Sequence, residues 1–275
     1  MKVLFEMSCR ILVFGNDKRF EYVREYLCSA GFSADAVGVD GTAEMKDYSV
    51  FVLPLPVTRD GICINGFPAI TLDGFASLLK SGDTVLGGMI KDRFLHLLES
   101  RGVNCFDYYD DELILGNARL TASAVLKLLK DENLTLNGKK CLVTGFGKCA
   151  KELCRLLADK NTDLTVTARS EQAESDAKSK GVEFVKLKDF TEETGHFDLV
   201  FNTVPALIFN EKNLAAVKDG VFIDIASAPY GVTASDAERF GIKLIRAASL
   251  PGRYEPESAG KLTGRRIIKY LKEGR

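Results

Sequence analysis

One short segment near the middle of the chain constrains the fold most. Residues 140–150 have the pattern of an apolar strand, a tight turn with two glycines, and the start of a helix. The G-x-G-x-x-A spacing is typical of a dinucleotide-binding turn, because glycine permits the turn and lets a pyrophosphate approach the helix N-terminus. A structural turn without a ligand is the alternative interpretation. The residues of this turn that we assign to cofactor binding are Gly145, Phe146, Gly147, Lys148 and Ala150, with Ala150 allowing the helix to pack closely on the strand.

Strand-like apolar runs alternate with helical patterns on both sides of this turn. In the first half the predicted strands are residues 11–15, 34–39, 50–53, 84–88 and 103–106, with helices over 18–30 and 91–101. In the second half the predicted strands are residues 141–144, 164–168, 184–187, 199–202, 221–225 and 243–245. Parallel strands need crossover helices, so this alternation predicts an α/β fold with two doubly wound, Rossmann-like parallel sheets.

Two strong helical patterns do not belong to either series of strands. They cover residues 120–130 and 257–272, and we predict that they form a two-helix hinge. The predicted domains are then a substrate domain over residues 1–117 and a nucleotide-binding domain over residues 118–256. The terminal helix, within residues 257–275, is expected to pack back on the first domain.

Composition excludes several classes of protein. The 275 residues are 46% apolar and 27% charged, with a net charge of −1, which is typical of a globular protein and gives no basic footprint for nucleic acid. No apolar run approaches the roughly 20 residues that span a bilayer, and residues 1–10 lack the apolar core of a secretory signal. We therefore expect a cytoplasmic protein without membrane or nucleic-acid partners.

Cysteine and histidine usage argues against metal chemistry. The seven cysteines are irregularly spaced with no C-x-x-C motif, which favours free thiols in a reducing compartment. His96 and His196 are the two histidines, too few for a convincing zinc site. We predict no metal.

The end of the second strand of the nucleotide-binding domain indicates which dinucleotide is bound. NAD-binding domains place Asp or Glu there, on the ribose 2′-hydroxyl. This chain has Arg169 and Ser170 instead, which can bind the 2′-phosphate of NADP as a planar fork and a hydroxyl donor. We predict NADP in preference to NAD. An exposed arginine that merely begins the next helix is the alternative.

Loops that follow other strands supply the remaining candidates. Cofactor-binding residues are expected at Asn202, Thr203, Val204 and Pro205 and at Ala226 and Ser227, because both segments follow strands at the carboxyl edge of the sheet. Substrate-binding residues are expected at Pro54 and Thr58, and at Pro251, Gly252 and Arg253 in a loop over residues 247–256, with Arg253 binding a carboxylate. Ordinary turns are the alternative for the two cofactor segments, and a solvated hinge loop is the alternative for residues 247–256.

Several of these motifs together resemble those of the NADP-binding subunit of the dipicolinate synthase family. The family motifs appear here as Gly145-Phe146-Gly147, Ala168-Arg169-Ser170, Asn202-Thr203-Val204-Pro205, Asp224-Ile225-Ala226-Ser227, and Leu250-Pro251-Gly252 through Ala259-Gly260. In the first half, Gly15-Asn16-Asp17 and Leu53-Pro54 are similar to the N-terminal domain of that family. The chain departs from the family at Ser123, where the hinge helix of the family has an acidic residue.

The resemblance implies an NADP-dependent oxidoreductase of sporulation. Such an enzyme oxidises a dihydrodipicolinate-type cyclic dicarboxylate to dipicolinate together with a flavoprotein partner, the second subunit of the synthase. Thr121, on the hinge helix, becomes a further substrate-binding candidate. We also expect a homo-oligomer such as a dimer, and we assign no catalytic base.

Two other functions stay open at this point. Shikimate and methylenetetrahydrofolate dehydrogenases share the two-domain plan and a similar Asn-Thr-x-Pro loop. However, the Lys–Asp pair of the shikimate enzymes has no clear equivalent here, since Lys91 and Asp92 are adjacent. The other alternative is a non-catalytic, NADP-binding regulatory protein.

Overall fold

The computed structural model describes residues 9–15, 17–37, 45–191 and 195–273. These residues form two compact units: the first runs to Gly116 and resumes at Glu255, and the second runs from Asn117 to Tyr254. Asn16 of the first-domain motif and residues 38–39 of the second predicted strand lie outside the described residues.

The described part of the first unit contains a five-stranded parallel sheet. Its elements in chain order are β1 (Arg10–Val13), α1 (Lys18–Ser29), β2 (Ser33–Ala36), β3 (Val50–Val52), β4 (Cys63–Ile64), β5 (Phe67–Thr71), α2 (Leu72–Leu78), β6 (Thr84–Gly87), α3 (Asp92–Ser100) and β7 (Asn104–Asp107). The strand order is β2-β1-β3-β6-β7, while β4 and β5 form a separate antiparallel pair. Sequence reasoning missed this pair and α2, because such short strands carry little periodicity.

The second unit carries a six-stranded parallel sheet among its described residues. The helix α4 (Asp111–Asp131) begins in the first unit and ends in the second, and the last helix, α10 (Pro256–Glu273), belongs to the first unit. The other elements of the second unit are β8 (Lys140–Thr144), α5 (Lys148–Ala158), β9 (Asp163–Ala168), α6 (Glu171–Ser179), β10 (Glu183–Lys186), β11 (Leu199–Asn202), α7 (Glu211–Ala215), β12 (Val221–Asp224), α8 (Ala234–Arg239), β13 (Lys243–Arg246) and α9 (Leu250–Tyr254). The strand order is β10-β9-β8-β11-β12-β13, which is the 3-2-1-4-5-6 order of a Rossmann sheet. The predicted α/β fold with two parallel sheets is confirmed.

Two connections carry the chain between the units. The first lies within α4, a single helix of 21 residues that begins at Asp111, earlier than the predicted helix at residue 120. The second lies between α9 and α10. The predicted loop over residues 247–256 is therefore partly wrong, because residues 250–254 are helical. Proline is tolerated in a first helical turn, so Pro251 does not prevent this helix.

The last helix, α10, packs against α1 in the first unit. Gly260 and Gly264 form the contact: a Cβ added to Gly260 would lie 2.5 Å from the Tyr22 Cβ, and one added to Gly264 would lie 2.7 Å from the Tyr26 Cδ1. One turn further on, Ile267 belongs to the same buried cluster as Val23. The absence of side chains at both glycines allows the two helix backbones to approach closely.

Separate apolar cores stabilise the two faces of the second sheet. Val143, Val166 and Phe201 pack on one face, whereas Leu142 and Val200 pack on the other. The described residues contain no helix with both the length and the apolar character needed to cross a bilayer. Nor do they bring three or more acidic, histidine or cysteine side chains together as a metal site.

Candidate nucleotide site

The two glycines of the turn after β8 have different roles. Gly145 has a φ of +78°, and a Cβ there would lie 2.9 Å from the Val204 Cγ2. Gly147 has an ordinary φ of −75°, and a Cβ there would meet no atom within 4 Å. The backbone therefore requires glycine at residue 145. At residue 147 the fold leaves room for a Cβ, so neither the backbone nor the packing requires glycine there.

The N-terminus of α5 borders this open space. Gly147 is its N-cap and provides no side-chain acceptor. By contrast, α6, α7 and α8 of the same unit are capped by the side chains of Ser170, Asn210 and Thr233. No N-cap side chain accepts from the first turn of α5, and the helix dipole favours an anion at this end of the helix.

A buried hydroxyl beside the turn lacks a partner. Thr167 Oγ1 has no hydrogen bond within the described part of the chain, and the backbone oxygen of Thr167 accepts the Gly145 N–H at 2.8 Å. Val166 packs with α5 in one core, and side chains alternate along a strand, so the Thr167 hydroxyl faces the other side of the sheet. The fit to the pyrophosphate of a dinucleotide rests on the uncapped helix N-terminus and the open glycine position.

Two assigned residues of the turn contribute packing rather than polar side chains. Phe146 is buried in the core of the unit, and the Lys151 ammonium lies 5.5 Å from the centre of its ring. Ala150 is fully buried and allows α5 to pack closely on the sheet. Lys148 is the first residue of α5. Because its side chain is in the core, Phe146 can contact a ligand only through its backbone.

Arg169 and Ser170 follow directly after β9. Arg169 is exposed, and its guanidinium has no hydrogen bond or ion pair to the residues that the structure describes. Ser170 is the N-cap of α6, with its Oγ accepting the Ala173 N–H at 3.2 Å. A capping hydroxyl still has its own hydrogen to donate, so Ser170 can cap the helix and bind an oxyanion together.

Four neighbouring strands of this sheet end in a chain of polar side chains. The strands are aligned so that Asn202 is the register partner of both Thr144 and Asp224, and Asp224 is the register partner of Arg246. The Asn202 Oδ1 accepts from the Thr144 hydroxyl at 2.5 Å, and the Asn202 Nδ2 donates to the Asp224 Oδ1 at 2.8 Å. The Arg246 Nη1 donates to the Asp224 Oδ2 at 2.5 Å. We call these four residues the strand-end network.

Asn202 has no free hydrogen-bonding group on its side chain. Besides its bonds in the network, its Oδ1 accepts the Val204 N–H at 3.1 Å and its Nδ2 donates to the Val204 carbonyl at 2.9 Å. Its side chain is also completely buried. Asn202 therefore supports the following loop, and only the residues after it remain suited to line a ligand site.

The two loops that carry the other cofactor candidates are bonded to each other. The Asn202 carbonyl accepts the Ile225 and Ala226 N–H groups at 2.9 and 3.1 Å. The Thr203 hydroxyl donates to the Thr144 carbonyl at 2.6 Å. Pro205 and Ser227 are exposed, whereas Ala226 is buried.

The substrate candidates of the first unit use their polar groups locally. Thr58 is 5% exposed; its hydroxyl donates to the Asp60 Oδ1 at 3.0 Å and accepts the Gly61 N–H at 3.0 Å. Three N–H or O–H groups bond to Asp60 and lower the pKa of its carboxyl below the usual value. Pro54 is buried. Thr58 therefore shapes its loop.

The substrate candidates of the second unit differ in accessibility. The Thr121 hydroxyl donates to the Asn117 carbonyl at 2.8 Å within α4. Pro251 is buried and Gly252 is half-buried on α9. Arg253 is exposed, with its guanidinium 5.4 Å from the centre of the Tyr254 ring. Arg253 is the one member of this set with an accessible charge.

Sequence reasoning missed Thr144 and Arg246. Each is the last residue of its strand, and each can be found by writing the parallel strands in register at their carboxyl ends. Neither histidine lies at the carboxyl end of a strand that the structure describes. His96 lies on α3, and His196 comes shortly before the start of β11.

Comparison with known proteins agrees with this geometry. Residues 114–234 match the family model of the NAD-binding domain of D-isomer-specific 2-hydroxyacid dehydrogenases. The chain is also 27% identical over 165 residues to a dipicolinate synthase chain of Bacillus subtilis, the A-type subunit of that enzyme. That alignment covers 60% of this chain and 56% of the relative. The predicted resemblance to the dipicolinate synthase family is confirmed.

The corresponding dipicolinate synthase chain from Bacillus halodurans has been solved and has the same fold. It superposes with a TM-score of 0.80 over 97% of this chain and 98% of its own, at 21% identity. A second curated relative is a shikimate dehydrogenase (NADP(+)) of Psychromonas ingrahamii, 34% identical over 122 residues. That match covers 42% of this chain and 43% of the relative, so each curated alignment spans about half of the known protein.

Proposed function

We propose that this chain is an NADP-dependent oxidoreductase whose nucleotide binds at the carboxyl edge of the second sheet. The observation that carries the proposal is the uncapped N-terminus of α5 beside Gly147, where a side chain would meet no protein atom. In a Rossmann sheet the adenosine half of the dinucleotide lies over the first strands, here β8 and β9. The nicotinamide half then lies over β11 and β12, and nicotinamide supplies hydride transfer when it is bound.

The preference for NADP is supported by the end of β9. Arg169 is exposed with no partner among the described residues, and Ser170 retains a hydrogen to donate. No acidic residue stands at this position to bind the 2′-hydroxyl of NAD or to repel a phosphate. The name of the shikimate dehydrogenase relative also specifies NADP(+).

As substrate we propose a cyclic dicarboxylate of the dihydrodipicolinate type, oxidised to dipicolinate together with a flavoprotein partner. This proposal is supported by the sequence match to the dipicolinate synthase chain of Bacillus subtilis and by the shared fold. Arg253 is an accessible cation suited to one substrate carboxylate. The chain would hold the donor carbon of the substrate against the nicotinamide and exclude water.

The cofactor preference is tested by calorimetric titration of the full chain with NADPH and with NADH. We expect tighter binding of NADPH in the wild type. Arg169→Gln should weaken NADPH by about 10- to 100-fold, since a hydrogen bond to a charged group contributes roughly 1.5–3 kcal/mol. The affinity for NADH should change little. Equal affinity of the wild type for both nucleotides would exclude the NADP preference.

Arg239→Gln is the matched control. Arg239 is also exposed and lies in the same unit, but it is the last residue of α8, which leads to the amino end of β13. This edge of the sheet is opposite to the proposed nucleotide site. We expect the affinities of Arg239→Gln for both nucleotides to equal those of the wild type.

A shikimate dehydrogenase-like activity is the second candidate, favoured by the match at 34% identity. The candidates are separated by measuring NADPH formation with shikimate and with a dihydrodipicolinate-type substrate, each with and without the flavoprotein. Turnover of shikimate alone would favour the second candidate. NADPH binding without turnover of either substrate would instead indicate a regulatory protein.

A further inference from the structure

The strand-end network extends across four strands, from β8 to β13. Asp224 is completely buried, and Arg246, whose side chain is 31% exposed, provides its counter-charge. A buried carboxylate needs such a partner, because desolvation strongly disfavours an isolated charge. Arg246 therefore fixes the position of Asp224 at the end of β12.

Arg246 also holds the far end of the loop that follows β12. Its Nη2 donates to the Val232 carbonyl at 2.7 Å, and its guanidinium lies 4.2 Å from the centre of the Tyr230 ring. Tyr230 has a φ of +70°, a conformation that a residue with a bulky side chain seldom adopts. These contacts and the bond to Asp224 fix both ends of the loop over residues 225–231.

The loop after β11 depends on the same group of contacts. The Asp224 Oδ2 accepts the Gly231 N–H at 3.0 Å, while its Oδ1 accepts from Asn202. The Gly231 carbonyl accepts the Ile208 and Phe209 N–H groups at 3.2 and 3.3 Å. A Cβ at Gly231 would lie 2.5 Å from the Asn202 Nδ2, so only glycine permits this close packing. The two loops thus form one connected layer.

We infer that Arg246 is a positioning residue for the nicotinamide half of the nucleotide, acting through Asp224 and Asn202 on the loops over residues 203–205 and 225–231. This inference rests on the proposed function. The loops follow β11 and β12, the strands over which a Rossmann sheet holds that half. The adenosine half depends on α5 and Arg169, which Arg246 does not contact among the described residues.

The test compares two ligands on the full-length protein. Adenosine 2′,5′-bisphosphate reports the adenosine half, and NADPH reports both halves. For Arg246→Gln we expect the affinity for the bisphosphate to stay within about twofold. The affinity for NADPH should fall by about tenfold or more, as for one lost charge-assisted hydrogen bond. The rise in nicotinamide fluorescence on binding NADPH should fall as well.

Arg246→Lys keeps the test valid if the glutamine variant fails to fold. Lysine keeps the charge near Asp224 but loses the planar fork that reaches Asp224 and Val232 together. We expect NADPH affinity between those of the wild type and Arg246→Gln, with bisphosphate affinity unchanged.

Lys139→Gln is the matched control. The Lys139 Nζ donates to the Asp198 Oδ1 at 2.8 Å, an ion pair that joins the starts of β8 and β11 at the opposite edge of the same sheet. Neither affinity should change in this variant.

The contrary outcomes are distinct. If both Arg246 variants bind NADPH and the bisphosphate like the wild type, or lose both affinities by the same factor, the inference is wrong. The second of these results would indicate general support of the fold. If the wild-type protein binds neither ligand, the proposed function itself fails and the inference fails with it.

Discussion

Arg266 on α10 and Asp110, which precedes α4, form an ion pair in the first unit across 156 positions of the chain. The Arg266 Nε donates to the Asp110 Oδ2 at 2.9 Å, and its Nη1 donates to Glu112. The Tyr270 hydroxyl also donates to the Asp110 Oδ2, at 3.1 Å. Only 5% of the Arg266 side chain is exposed. This contact joins the last helix to the start of α4.

Arg266→Met should therefore destabilise the first unit. Removing one partner of a largely buried ion pair leaves the other charge uncompensated, which costs about 3 kcal/mol. Hydrogen exchange of the α10 amides should measure the loss directly. The control is Lys261→Gln, on the same helix, where an exposed lysine pairs with Glu257 and little change is expected. Equal losses in both variants would show that burial of the Arg266 pair has no special effect.

The same ion pair predicts a stability change in acid. Burial raises the pKa of Asp110, but the Leu113 N–H and the Arg266 guanidinium lower it more, and the net shift is downward. Because the folded pKa lies below the unfolded value of about 3.9, this contribution to stability is fully present above that pH. It is lost as the pH falls through the folded pKa.

Urea unfolding followed by circular dichroism at several pH values checks this prediction. The contribution of Asp110 should be constant from pH 8 to pH 5 and should decrease below about pH 4. The decrease should be smaller in Arg266→Met, which lacks the guanidinium that lowers the pKa. An identical acid profile for both proteins would contradict this assignment.

Substitution of the two turn glycines should separate folding from binding. Gly147→Ala places a Cβ in open space at an ordinary φ, so unfolding should be nearly unchanged. NADPH affinity should fall by about tenfold or more, because the pyrophosphate needs that space. Gly145→Ala should lower the thermal midpoint as well, since it combines a positive φ with a contact at 2.9 Å. Unchanged NADPH binding by Gly147→Ala would exclude the proposed phosphate position.

Ser170→Asp should shift the nucleotide preference toward NADH. Aspartate caps a helix about as well as serine, so α6 should keep its N-terminal bond to Ala173. The new carboxylate would repel the 2′-phosphate of NADPH and could accept from the 2′-hydroxyl of NADH. The ratio of the two dissociation constants, measured by calorimetry, checks the shift.

Asn210→Asp is the control for this charge. Asn210 caps α7 in the same unit through bonds to the Lys212 and Asn213 N–H groups. The substitution adds a carboxylate of nearly the same shape at another helix cap. It should leave the ratio of the dissociation constants unchanged, whereas an equal shift in both variants would indicate a general effect of negative charge.

Much of the second unit could be predicted from sequence because its signals are local. The spacing of Gly145, Gly147 and Ala150 and the apolar strand before them lie within eleven residues. The roles of Phe146 and Asn202 were harder to predict, because the sequence does not say whether a side chain faces a ligand or the core. Both side chains are buried, and both polar atoms of the Asn202 side chain are bonded to the following loop and to the strand-end network.

Sequence by itself determined the α/β alternation, the position of the glycine turn and the basic residue after β9, since each depends on residues that are neighbours in the chain. Tertiary structure alone decided which distant residues meet. The register of parallel strands brings Arg246 beside Asp224, and helix packing brings Arg266 to Asp110. These pairings arise from burial and hydrogen-bond satisfaction across the whole unit, and no local period of the sequence encodes them.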